Sequence, residues 1–311
     1  MSKQALIVIV VLAVLASLAF EARADGLLVG PSQLSKQDRL ELQTHLQHAR
    51  SAHPKAFAQL AELRSSLALM DARKRGPYPV LTPKLHGLGP AGLMPMLERL
   101  AVKRTDQGGL SRATWRGWQA SLVEAVGKRR DRRAEPVLRA ILEHGPTDYL
   151  IVQAAAGAYG KLVTDPVAAK LVSLSKVPGD RQLAILSGMS HCRRTVVASR
   201  LAEVLDQVPD VAVARVLARS LARVGSAWAW KVPTAPHSAE EDAVRLTAAE
   251  SLVRAFPTYG PEVRGMLTKA ILVVDHPDTL AMIEAAKSGA ASEARSALDE
   301  LAQRFQHSPF H

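Results

Sequence analysis

The stretch Gly127-Lys128-Arg129-Arg130-Asp131-Arg132-Arg133-Ala134-Glu135-Pro136-Val137-Leu138 closes one apolar helix, turns, and opens another. Ahead of it, Ala120, Leu122 and Ala125 stand seven, five and two positions before Gly127. The same ladder returns as Ala155, Ala158 and Gly160, as Ala184, Leu186, Met189 and His191, as Leu221, Val224 and Ser226, and as Leu252, Ala255 and Pro257. The anchors 127, 160, 191, 226 and 257 recur at roughly 31 to 35 residues, a period of stacked helical hairpins. Steps of three or four residues inside each copy place these side chains on one helical face.

The second helix of each unit is read in the same way. Its apolar positions are Val137, Leu138, Ile141 and Leu142, then Val167, Ala168, Leu171 and Leu174, then Val197, Leu201, Val204 and Leu205, and last Val263, Met266, Leu267 and Ile271. Small residues at helix contacts allow close approach, and aromatics make up only 4% of the chain. One such hairpin cannot bury its apolar stripe, but neighbours stacked on it can. The expected fold class is therefore all-α: an α-solenoid of stacked helical hairpins.

Leu88-Gly89-Pro90-Ala91-Gly92-Leu93-Met94-Pro95-Met96-Leu97 resembles the opening of a HEAT repeat, and Ala120 to Leu142 resembles the short HEAT repeats of the phycobilisome-lyase type. The likeness runs over about residues 85 to 290. It implies a binding scaffold. A cofactor-handling or lyase-type enzyme is the alternative that the same family offers. In HEAT repeats the second helices line the concave side, which implies Arg139, Lys170, Arg200 and Lys269 as partner contacts.

The ends differ from the array. Lys3, the apolar run Ala5 to Phe20 and Ala22-Arg23-Ala24 form the pattern of a secretory signal peptide, with cleavage expected after Ala24. That address would place the protein in the periplasm or cell envelope. The run is short for a membrane span, so a retained anchor is the lesser reading. Residues 25–75 carry two helices without the repeat pattern, the first capped by Ser35 and the second running from Pro54 to about Ala72. They are expected to cap the array. Residues 76–90 are rich in Pro and Gly and read as a linker or crossing loop. Residues 91–306 are the expected array, with a last helix from Ala291 to Phe305, and 307–311 a tail.

A net charge of +11 favours an acidic protein partner, with membrane-surface contact compatible. Export argues against nucleic acid, the usual partner of so basic a chain. The run Lys128, Arg129, Arg130, Arg132 and Arg133 could hold a phosphate or an acidic tail, or could be a solvated turn whose cations favour a helix C-terminus. Trp228 and Trp230, in the loop to His237, could form a binding lip or plug a gap left by a missing helix. Trp115 and Trp118 read as packing residues. His45, His48 and His53 do not match a metal motif, and no cofactor is expected. Cys192, the single cysteine, reads as a buried small hydrophobe rather than a partner for His191. No catalytic residue is assigned.

Overall fold

The computed structural model describes residues 27–207, 210–231 and 238–308. The expected signal peptide, the residues Val232 to His237 of the tryptophan loop and the last three positions of the tail lie outside these. All secondary structure among the described residues is helical. The chain falls into two compact units, one ending at Leu122 and one starting at Val123.

In the first unit α1 (Lys36–Ala52) packs on α2 (Pro54–Ser65) and on α5 (Leu93–Ala101). Ser35 caps α1 by accepting from the Asp38 amide at 3.0 Å, and Leu42, Leu46 and Ala49 form its buried face. The helix expected from Pro54 to Ala72 is two: α2 stops at Ser66, and α3 spans Leu67–Arg73. Phe57 is half-buried beneath the Arg50 guanidinium, 4.6 Å from the ring centroid. The Pro/Gly-rich stretch is ordered. It carries α4 (Thr82–His86), and Leu81 and Leu85 are buried. Trp115 and Trp118 are buried, as packing residues should be.

The last turns of α6 (Arg112–Lys128) open the second unit. It continues with α7 (Glu135–His144), α8 (Tyr149–Gly160), α9 (Asp165–Ser175), α10 (Gln182–Met189), α11 (Thr195–Gln207), α12 (Val211–Val224), the short α13 (Ala227–Trp230), α14 (Glu241–Ala255), α15 (Pro261–Val274), α16 (Thr279–Lys287) and α17 (Ser292–Gln306). Local chemistry sets several starts. Asp148, Thr164 and Asp210 each accept a first-turn amide, at 3.0, 3.4 and 3.0 Å. Pro136, Pro166 and Pro261 stand where the missing N–H costs nothing.

Packing sorts these helices into two rows. In one, α8 meets α10, α10 meets α12 and α12 meets α15; in the other, α9 meets α11, α11 meets α14 and α14 meets α16. Backbone crowding explains the small residues of the first row. A Cβ on Gly127 would strike Ala158, and one on Gly188 would strike the carbonyl of Gln153.

The rows correct one part of the repeat assignment. Leu252 and Ala255 belong to α14, expected as a first helix; α14 packs on α11 and so serves as a second helix. Val263, Leu267 and Ile271 on α15 were expected in a second helix, yet α15 packs on α12. The helix that follows α12 is α13, only four residues long. It is too short to take the second-row position, so the next apolar helix fills it and the alternation shifts by one. Side-chain bonds hold the shifted helix. Arg194 joins Asp165 to Glu240 (2.5 Å to the latter), and Arg254 meets Asp206 at 3.0 Å.

Candidate functional site

The C-terminal ends of α6, α8, α10 and α12 carry basic side chains. Lys128 ends α6, Lys161 caps α8, His191 and Arg193 follow α10, and Arg223 lies in the last turn of α12. The turns themselves repeat. The amides of Arg130, Val163 and His191 each donate to the carbonyl three residues back, on Gly127, Gly160 and Gly188, at 3.2 Å. Arg130 and Val163 both adopt left-handed backbone, with φ of 52° and 51°. Helix C-termini favour cations, so each position is sound locally. Stacking the helices then brings the cations together.

The result is a crowded edge. A Cβ on Gly157 would lie 3.0 Å from His191 Cδ2, so the missing side chain makes room for the imidazole over α8. Burial, reinforced by Lys161, Arg223 and Arg193, pushes His191 down to about 3. Burial also lowers Lys161; Glu124 opposes this, while Lys128, Arg130 and Arg223 add to it. Arg193 is lowered by burial and by Arg130. Its guanidinium stands 6.0 Å from the ring of buried Trp230, and Arg223 Nη1 lies 3.4 Å from Ser190 Oγ. Among the described residues, Lys128, Lys161, Arg193 and Arg223 are in no ion pair.

The second row differs in that several of its cations are paired. Lys170 pairs with Glu143. Arg200 bonds Glu203 at 3.0 Å and Ser175 Oγ at 3.1 Å, which makes it a brace between α9 and α11. Arg194 is held by Asp165 and Glu240. Of the four contacts implied by the HEAT resemblance, Arg139 lies half-buried on α7, while Lys170 and Arg200 are tied as above. Lys269 is exposed on α15, in the first row. The four do not form one patch.

The basic run also divides. Arg129 and Arg130 belong to the crowded edge, Arg132 is exposed, and Arg133 is clamped to Asp131 at 2.6 and 3.0 Å. The two tryptophans part as well. Trp228 is 60% exposed with Lys231 Nζ 5.2 Å from its ring, whereas Trp230 is buried. The sequence reading passed over Lys161, Arg193 and Arg223 as site residues. A signal was present: Lys128 and Lys161 each follow the anchor glycine directly.

Two other polar clusters have structural explanations. Lys74 Nζ lies 3.1 Å from Ser111 Oγ, a spacing that suits a nucleophile and a base. However, Asp71 pairs with Lys74 and accepts from the Ser111 amide at 2.9 Å, Ser111 Oγ at 3.1 Å and Thr114 Oγ1 at 2.5 Å. Lys74 is thus tied to a carboxylate, and the cluster anchors the start of α6. Cys192 is buried, and burial pushes its thiol up to about 12, which leaves it a poor nucleophile. Among the described residues no group of three or more His, Cys, Asp or Glu side chains could hold a metal ion, and no helix is long and apolar enough to cross a membrane.

No protein-family model matches the chain. No curated protein matches it either.

Proposed function

We propose that the chain is an exported HEAT-like α-solenoid scaffold, capped by its N-terminal helices, that binds an acidic protein partner along the basic edge. One observation carries the reading: Lys128, Lys161, Arg193 and Arg223 recur at successive helix ends on that edge in no ion pair among the described residues, whereas Lys170 and Arg200 of the neighbouring row are paired. Like charges held together raise the energy of the free protein, and an anionic partner offsets this. The two-row packing and the backbone-close helices of the second unit support a stacked-hairpin array.

The test is fluorescence anisotropy of a labelled polyglutamate peptide with the full chain. Binding is expected at low salt and should weaken as salt rises. The double variant Lys161→Glu/Arg223→Glu should lose it, and Lys170→Gln should keep it. Binding that ignores salt and charge reversal, or that strongly prefers single-stranded nucleic acid over the peptide, would overturn the reading. The export component has its own check. Protein recovered from the cell envelope should begin at Asp25 by N-terminal sequencing; a chain found only in the cytoplasm with Met1 intact contradicts it.

A further inference from the structure

We propose that the ends of α8, α10 and α12 form a site for a compact phosphate-class oxyanion, with Lys161, Arg193 and Arg223 supplying charge and a ring nitrogen of His191 a hydrogen bond. The inference rests on the reading of this edge as the binding surface and narrows it to one chemistry. The end of α10 lies between its row neighbours α8 and α12. The His191 ring occupies the space above Gly157 on α8, and a Cβ added at Gly157 would lie 3.6 Å from Nε2. Neither ring nitrogen has a hydrogen-bond partner among the described residues. Arg193 is half-buried beside Trp230, and its Nε is buried without an acceptor. Arg223 meets a hydroxyl, that of Ser190, and no carboxylate.

The choice of phosphate over carboxylate follows from charge density. A carboxylate brings one negative charge. A phosphomonoester brings about 1.5 to 2 and three acceptor oxygens, which suits three cations around one imidazole. Guanidinium groups also match phosphate in fork geometry. The charged groups facing His191 are Lys161 from α8, Arg193 beyond α10 and Arg223 from α12; Lys128, Arg130 and Glu124 of the α6 end act on Lys161. All but Glu124 are cations, so a bound dianion allows the imidazole to take a proton that it otherwise refuses.

The experiment is calorimetric titration of the full chain with inorganic phosphate and with pyrophosphate, followed by NMR of the His191 ring. Saturable, salt-sensitive binding is expected, together with a rise in the His191 titration midpoint. Lys161→Gln and Arg223→Gln should each weaken pyrophosphate at least tenfold, and Lys269→Gln should not. Both variants should melt no earlier than the parent, since each removes crowding; should one fail to fold, the other sits on a separate helix and decides the matter. Vesicles of phosphatidylcholine with and without phosphatidic acid separate a lipid headgroup from a free phosphate as the source. Pyrophosphate that does not saturate, or that loses as much affinity in Lys269→Gln, overturns the proposal. Polyglutamate that binds these residues as tightly as pyrophosphate also overturns it while leaving the acidic-partner reading intact. Failure of both ligands removes both readings.

Discussion

His191 shows how one residue acquires its chemistry from its neighbours. Its imidazole is partly withdrawn from water and faces Lys161, Arg193 and Arg223, so the charged form is disfavoured twice over. The unfolded chain binds a proton near the ordinary value of 6.5, the folded chain only near about 3. Between those values the unfolded state holds more protons, so stability falls as pH drops through this window. Thermal melts from pH 7 to 4 should show that fall, and His191→Gln should flatten it. Asp71 has the opposite charge but the same pH trend. Its hydrogen bonds from Lys74, Thr114 and Ser111 hold its carboxyl well below the usual range. Its contribution is complete above the ordinary aspartate range, and it declines as pH falls below that. Asp71→Asn should therefore melt earlier than the parent at pH 7, with the gap closing in strong acid. Cys192 gives a simpler test. Buried and held as the thiol, it should react with a disulfide reagent only when the protein unfolds, so the rate should follow the unfolded fraction across a urea titration. Rapid labelling of the native chain would contradict the placement.

At the scale of elements, the contact between α8 and α10 depends on a missing side chain. Gly188 sits against the carbonyl of Gln153 and the Ala156 methyl, and a Cβ there has to displace backbone. Gly188→Ala should cost about 1–3 kcal/mol or more by overpacking, although alanine is the better helix former. Circular-dichroism melts would read the loss, and an unchanged melting temperature would mean that the two helices do not touch there. The exchange of roles between α14 and α15 is a second consequence of packing. Both are helices of similar length rich in buried apolar residues, and their sequences do not say which row each joins. That choice followed from the shortness of α13 and from acids placed to receive Arg194 and Arg254. Reading every apolar ladder as a first helix therefore matched the spacing and still misplaced one hairpin.

For the whole molecule, the net charge of +11 sets the response to salt. Surface ion pairs lose strength when screened, but each is worth little. Repulsion among Lys128, Lys161, Arg193 and Arg223 is relieved by the same screening. The excess of positive charge should dominate, so the melting temperature should rise as sodium chloride is added from low concentration. Pyrophosphate should raise it further at matched ionic strength, because it binds rather than screens. A melting temperature that falls with salt would show that the ion pairs of the second row govern stability instead.

The all-helical character, the small residues at close contacts and the cations that follow Gly127 and Gly160 were legible along the chain. Each depends on neighbours within a turn or two of helix, where spacing and capping act. The row that each helix joins, the pairing of Lys170 and Arg200 with carboxylates, and the space over Gly157 that receives His191 were settled only by tertiary structure. Those features depend on which helix ends meet, and helices with interchangeable apolar faces are told apart by packing volume and by the charges that packing brings together.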